Sequence, residues 1–205
     1  MVIDEGHTRG PVAAPGEYRV RLIAGRDSLT QPLTIVPDPR LRVSDADYRA
    51  QFTLASRAVE RITEIAETTS RIEDLQRQLD ERVRQTGDQP FASRVKDAAK
   101  PVREKLEGVR REIAEVYSHT DQITLHYPVK LYNWFITLNA QVQDGDGAPA
   151  RQHNEIYAEL VGKLSVQLAA LGKIESEDIA AFNRLLQELQ VPGVYVPPRK
   201  PATAS

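Results

Sequence analysis

The order of apolar and polar positions divides the chain into a short β region and a long helical region. Residues 17–22 alternate polar and apolar side chains, which places Tyr18, Val20 and Leu22 on one face of a strand. A Gly-Arg-Asp-Ser turn follows at 25–28, and residues 29–36 have the composition of a second strand. The pattern therefore predicts a β-hairpin over 16–36.

The hairpin is too small to be stable alone, since isolated two-stranded hairpins are marginal in water. We expect it either to pack on the helices of this chain or to complete a sheet that belongs to something else. A Pro-Asp-Pro-Arg sequence at 37–40 ends the β region.

The apolar period changes from 2 to about 3.5 at Ser44, where Ser44 and Asp47 have the spacing of a capping box. In the first helix we expect the stripe to include Tyr48, Phe52, Ala55 and Val59. Breakers separate five helical segments, at about 44–86, 92–118, from Tyr127-Pro128 to about 142, 150–172 and 176–190. Short connections and stripes stepping by 3 and 4 predict a mainly α fold, an antiparallel up-and-down bundle of four to five helices with coiled-coil-like packing. The predicted organisation is a hairpin segment at 1–40, a helical bundle at 41–190 and a Pro-rich flexible tail at 191–205.

Composition removes several classes of function. Among 205 residues the net charge is −2 and acidic and basic residues are interspersed, so no electrostatic footprint for nucleic acid is present. The chain has no cysteine, which excludes disulfides, thiolate metal sites and cysteine nucleophiles. No apolar run reaches 18 residues, so we expect no membrane insertion. The N-terminus is acidic and polar and does not resemble a signal peptide.

Metal and cofactor motifs are weak. Glu115 and His119 lie one helical turn apart, but a solvated helix end explains them as well. The Asp144-Gly-Asp-Gly sequence has a glutamate, Glu155, at position 12, as a calcium loop requires; its glycine and oxygen positions do not fit, so a plain interhelical turn is favoured. We expect no cofactor and no metal.

Aromatic residues concentrate near the start of the third helix. Tyr127, Tyr132 and Trp134 form a possible binding patch, for a protein or for a sugar ring, because aromatic side chains anchor binding surfaces. The alternative is that they are core residues at helical spacing.

No catalytic motif is found. The sequence lacks Gly-x-Ser-x-Gly, a P-loop and a Rossmann glycine pattern. Carboxylates are abundant, but they alternate with Lys and Arg on polar helix faces, which indicates solvation and ion pairing. We therefore predict no catalytic residue.

Three segments resemble a known family. They are Gly10-Pro-Val-Ala-Ala-Pro-Gly-Glu-Tyr-Arg-Val-Arg-Leu22, Gln31-Pro-Leu-Thr-Ile-Val-Pro-Asp-Pro-Arg40, and Leu131-Tyr-Asn-Trp-Phe-Ile-Thr-Leu-Asn139 with the loop that follows. In this order they resemble the C-terminal region of large bacterial proteins with sortilin-like, Asp-box repeat β-propellers, which are often labelled glycosyl hydrolases.

The resemblance covers residues 8 to 196 and implies a propeller ahead of this region, with the hairpin as the last part of a β-sandwich. No Asp-box (Ser-x-Asp-x-Gly-x-x-Trp) occurs in the chain, so the propeller and any site it holds lie elsewhere. The resemblance favours a periplasmic or extracellular setting.

Three functional hypotheses follow. The first is a non-catalytic accessory module that packs on its own propeller or mediates self-association. The second is a carbohydrate-binding or hydrolytic segment of a glycosidase. The third, weaker, is a metal-binding helical bundle.

Overall fold

The computed structural model describes residues 10–115 and 128–198. It is mainly α-helical, with an antiparallel β-hairpin ahead of the helices, as the sequence predicts. The strands are β1 (Gly16–Ala24) and β2 (Asp27–Ile35). The helices are α1 (Asp45–Thr86), α2 (Ala92–Ile113), α3 (Leu131–Val142), α4 (Arg151–Lys173) and α5 (Ala180–Glu188).

A π-helical segment, Ile174–Ile179, joins α4 to α5. The sequence predicts two separate helices here, but Lys173 and Ala180 both keep right-handed helical backbone angles. Within the described ranges the chain therefore forms four helical rods, the last of which contains one wide turn.

The described residues group into two compact units, each treated separately. The hairpin unit contains the residues up to 63 and those from 133 to 161, and the tail unit contains those from 64 to 132 and from 162 onward. The division falls inside α1, near the start of α3 and inside α4.

In the hairpin unit, α1 begins with the predicted capping box. The Asp47 N–H donates to Ser44 Oγ at 3.2 Å, and the Ser44 N–H donates to Asp47 Oδ2 at 3.2 Å. These bonds satisfy orphan backbone donors of the first turn. The unit's core lies between the first part of α1, α3 and the first part of α4, where the buried apolar side chains are Leu54, Ala55, Ala58, Ile62, Phe135, Leu138, Val142, Tyr157 and Leu160.

One predicted core position of α1 is wrong. Phe52 is 40 % exposed, whereas Leu54 and Ala58, which the predicted stripe omits, are buried. At 100° per residue the buried band is rotated by roughly 60° from the predicted one. A helix with apolar residues over a wide arc does not fix, by its sequence alone, which edge of that arc faces its neighbours.

In the tail unit, α2 packs against the π-helical segment and α5. Its buried apolar positions are the predicted ones from Val95 to Ile113, and Pro101 lies on its exposed side without ending it. The predicted continuation of this helix beyond residue 115 lies outside the described residues.

Candidate interaction surfaces

The predicted aromatic patch is not found as one surface. Tyr132 is only 3 % exposed, whereas Trp134 is 48 % exposed. Two residues that are two positions apart on a helix point in different directions, so these rings do not share a face. Tyr127 lies outside the described residues. The prediction of a common platform is therefore wrong for Tyr132, which is a core residue, and Trp134 remains as an exposed ring.

One face of the hairpin is an exposed apolar surface. Residues paired across the strands share a face, and the pairs Tyr18 with Leu33 and Leu22 with Leu29 lie on the same face as Val20. We call these five residues the apolar hairpin face. Their exposed fractions are 37 % for Tyr18, 45 % for Leu33, 67 % for Leu22, 59 % for Leu29 and 52 % for Val20.

The opposite face of the hairpin is mostly polar. Glu17 accepts a hydrogen bond from Thr34 Oγ1 at 2.9 Å, and Arg21 Nη2 donates to Ser28 Oγ at 3.1 Å. The strands thus have the polar face that antiparallel sheets turn to water, while the face that such sheets normally bury stays in contact with water. The five side chains of the apolar face leave on the order of 500 Å² of apolar surface open, which is near the upper limit for a monomer.

The turn between the strands fixes this arrangement. Gly25 has a φ of +62° and occupies the first central position of a two-residue loop. Glycine at this position fits a type II′ turn, whose twist matches that of the two strands. A one-residue slip of the register would exchange the two faces, so the turn determines which side chains are displayed.

Only one outer edge of the hairpin can accept another strand without interruption. The two-residue loop makes Ala24 and Asp27 a hydrogen-bonded pair, and bonded and non-bonded pairs then alternate along the strands. Pro32 faces Arg19 at a non-bonded pair, where the backbone of each strand points outward. Since proline has no N–H, the outer edge of β2 lacks a donor there, whereas the edge of β1 is complete.

The segment before the hairpin is anchored in the same unit. The Val12 N–H donates to Gln143 Oε1 at 2.6 Å, and the Tyr18 hydroxyl donates to the Ala14 carbonyl at 2.6 Å. Beyond these contacts, every residue of β1 is exposed, and in β2 only Ile35 is half-buried. The hairpin therefore does not pack on the helices in the way that its size would require.

A second candidate site is a groove between α1 and α2 in the tail unit. It is open, measures about 990 Å³ and is lined by six basic and five acidic side chains together with Gln76. Its volume is in the range of ligand sites, but it lacks the apolar lining that such sites have. The basic and acidic side chains also nearly cancel, so the groove selects no ligand by charge.

Three of the five carboxylates of this groove, those of Glu73, Asp80 and Glu107, are held in ion pairs. Glu107 accepts hydrogen bonds from Arg110 Nη2 at 2.6 Å and from Arg111 Nε at 2.8 Å, and Arg103 pairs with Asp80 at 2.9 Å. Burial raises the pKa of Glu107, but the hydrogen bonds from Arg110, Arg111 and Gln76 together outweigh it and hold that pKa below its ordinary value. A general acid needs a raised pKa, so Glu107 is not poised for that role.

The described residues of the two weak metal motifs have other surroundings. Glu155 pairs with Arg151 on α4 at 2.8 Å, and Asp144 lies in the turn between α3 and α4. His119 lies outside the described residues. Within 10–115 and 128–198, no three His, Asp or Glu side chains gather closely enough to hold a metal ion.

Comparison with known proteins adds no assignment. No protein-family model, no curated protein and no solved structure matches this chain. Across the described ranges, none of the helices has both the length and the apolar character needed to cross a bilayer.

Sequence reasoning anticipated the alternation that builds the apolar hairpin face, but it could not tell whether helices cover that face. It missed the amide side chains of Gln78 and Asn183, which bind the tail described below. Isolated Gln and Asn residues on helices carry no signal by which their role could have been found.

Proposed function

We propose that this chain is a non-catalytic interaction module that binds a protein partner through the apolar hairpin face. The observation that carries the proposal is the exposure of Val20, Leu22 and Leu29 on a hairpin whose other face is polar. A lone pair of strands is marginally stable in water, so a partner that covers this face also stabilises the hairpin.

The partner that we propose is an Asp-box β-propeller of the kind that precedes such a region in the proteins this sequence resembles. Support comes from that resemblance and from the complete outer edge of β1, which suits the sheet of a β-rich partner. Self-association through the same face is the other outcome that the experiment separates.

The absence of catalysis is part of the proposal. It is supported by the ion pairs of Glu73, Asp80 and Glu107 in the charged groove and by the lowered pKa of Glu107. The proposal of a non-catalytic chain would be overturned if the chain turned over a substrate and a single carboxylate substitution on the helices abolished that turnover.

The test is a calorimetric titration of the full chain with the isolated Asp-box propeller of a protein that carries both regions, together with light scattering of the chain alone. We expect either saturable binding or a dimer that dissociates on dilution. A chain that stays monomeric and gives no heat with the propeller would contradict the proposal.

A pair of matched variants locates the binding surface. Leu22→Lys with Leu29→Glu places opposite charges at facing positions of the apolar face, so the strands can still pair. The control, Arg21→Glu with Thr30→Lys, makes the same kind of change at facing positions of the polar face. We expect the first variant to weaken association at least about 100-fold, since charge replaces buried leucine, and the control to change it only a few-fold.

The exposed ring of Trp134 favours a second candidate, a carbohydrate-binding or hydrolytic segment of a glycosidase. Exposed tryptophan is a common platform for stacking ligands. A glycan array and a panel of chromogenic glycosides would test it, with Trp134→Ala as the variant that must lose any signal.

A further inference from the structure

The segment that follows α5 lies in an extended form against α1 in the tail unit. The turn out of α5 is closed by the Val191 N–H, which donates to the Leu186 carbonyl at 2.9 Å. Gln190 takes a φ of +57° in this turn, a left-handed conformation that glycine normally supplies at helix ends. The turn is therefore strained by the presence of a side chain.

Two amide side chains bind the backbone of this segment. Asn183 Nδ2 donates to the Val194 carbonyl at 2.9 Å, while the Val194 N–H donates to Asn183 Oδ1 at 2.7 Å. Gln78 Nε2 donates to the Tyr195 carbonyl at 3.0 Å, and the Tyr195 N–H donates to Gln78 Oε1 at 2.8 Å. Each amide thus satisfies the donor and the acceptor of one residue, as a neighbouring β-strand would do.

Arginine side chains extend the same pattern along the segment. Arg82 Nε donates to the Gly193 carbonyl at 3.3 Å, and Arg71 Nη2 donates to the Pro197 carbonyl at 2.5 Å. Arg71 is itself held by Glu175 at 2.5 Å, with both side chains largely buried. Four side chains therefore recognise the backbone of residues 193–197, and we call their positions on α1 and α5 the tail groove.

The tail groove is selective at two positions. The Val194 side chain is buried at 4 % exposure, which requires a small apolar residue. A Cβ added to Gly193 would lie 3.2 Å from Asn183 Oδ1, which favours glycine there. The Tyr195 side chain is 66 % exposed and is not selected. The groove thus reads an extended Gly-Val-x segment mainly through its backbone.

Open space adjoins the end of the bound segment. A groove of about 660 Å³ borders Pro197 and Pro198 and is lined in part by Ala66, Leu168 and Leu171. The end of the segment is therefore open to its surroundings on one side.

We propose that the tail groove is an exchangeable peptide site that takes the 193–197 segment of a second copy of this chain. The hydrogen bonds from Arg71, Gln78, Arg82 and Asn183 join the segment to the groove, so all of them are kept when the segment comes from another copy. The turn at Gln190 is the part that differs, because an exchanged tail need not fold back on its own helix.

The strain in that turn favours exchange. A tail on its own chain competes with an effective concentration on the order of millimolar. Relief of the left-handed backbone at one Gln190 favours the exchanged form by about tenfold. An exchanged dimer relieves two such residues, so its dissociation constant falls about 100-fold, from about 1 mM to about 10 μM. This inference is independent of the proposed function of the hairpin.

Single-thiol copies test the exchange directly, since the chain has no cysteine of its own. One copy carries Ser70→Cys on α1 and the other carries Pro198→Cys at the end of the segment, two positions that border the same open groove. The two copies are mixed at about 100 μM, about ten times that dissociation constant, with a short bis-maleimide. All copies also carry Leu22→Lys and Leu29→Glu, so that the hairpin does not bring them together. Neither copy has both thiols, so a covalent pair between the two sites requires the tail of one copy in the groove of the other.

Two controls measure the reach of the reagent and the level of linking by random collision. One copy carrying both Ser70→Cys and Pro198→Cys must link internally when dilute, which shows that the reagent spans the two positions. Arg26→Cys in the hairpin turn, mixed with Pro198→Cys, measures random collision. Circular dichroism confirms that each variant keeps its helices.

We expect the mixed copies to link well above the collision control. We also expect Gln190→Gly in both copies to raise the concentration needed by about 100-fold, because glycine removes the strain. Linking no greater than the collision control, or failure of the internal link, would overturn the proposal.

Discussion

The ion pair between Glu107 and Arg110 makes a quantitative prediction for Glu107→Gln. The Glu107 side chain is 19 % exposed and that of Arg110 is 4 % exposed, so the pair is poorly screened by water. Oε2 accepts from Arg110 Nε at 2.9 Å and from Nη2 at 2.6 Å, and Oε1 accepts from Arg111. Glutamine keeps the shape and one acceptor oxygen, but its NH₂ group must face one of the two guanidinium groups.

The size of the loss follows from that geometry. A hydrogen bond to a charged group contributes about 1.5–3 kcal/mol net. The substitution removes the hydrogen bonds to one of the two guanidinium groups. Glu73 lies 4.0 Å from Arg110 and offsets part of the loss. We therefore expect Glu107→Gln to lower the free energy of unfolding by about 2 kcal/mol at pH 7.

The effect depends on pH in a defined direction. The pKa of Glu107 in the folded chain lies below its ordinary value of 4.5. The stabilising contribution is therefore complete above about pH 4.5 and is lost as the pH falls through the folded-state pKa. The difference between the wild-type chain and Glu107→Gln must accordingly shrink at pH values below 4.5.

Urea unfolding followed by circular dichroism at pH 7 and pH 3 measures this difference. The double variant Glu107→Gln with Arg110→Met is the control, since removing both partners costs less than the two single changes together. An equal loss at pH 3 and pH 7 would refute the reasoning, because it would show that the charge of Glu107 contributes nothing.

Three further predictions concern packing and the tail. Gln190→Gly raises the free energy of unfolding by about 1 kcal/mol in dilute urea titrations, because it relieves the left-handed backbone, whereas Gln190→Ala gives no such gain. Leu138→Ala lowers it by about 3 kcal/mol, since Leu138 is fully enclosed, while Val166→Ala at an exposed position changes it by under about 0.5 kcal/mol. Gly193→Ala accelerates hydrogen exchange at the Val194 and Tyr195 amides, because the new Cβ crowds Asn183 Oδ1; unchanged exchange would contradict the assigned tail contacts.

Local sequence signals were sufficient for the hairpin and for the start of α1. Ser44 and Asp47 form the predicted capping box, and the alternation from residue 17 to 22 gives the observed strand. These features depend on bonds between near neighbours, which a sequence contains in full.

Features that depend on tertiary packing were not predictable. Phe52 is exposed because a different edge of the apolar arc of α1 faces the core, and Tyr132 is buried because neighbouring elements cover it. Gln78 binds Tyr195, which is 117 positions away, and Asn183 binds Val194, which is 11 positions away. No local sequence pattern predicts either contact. For the same reason the residues of the apolar hairpin face were predictable, but their exposure was not.

The central claim, that the apolar hairpin face binds a protein partner, is tested most directly by methyl NMR of the leucine- and valine-labelled full chain. Spectra are recorded over a dilution series and during a titration with the isolated Asp-box propeller. We expect the methyl signals of Val20, Leu22, Leu29 and Leu33 to shift on association, while those of the exposed Val166 do not. Association that leaves the hairpin methyl signals unchanged would contradict it.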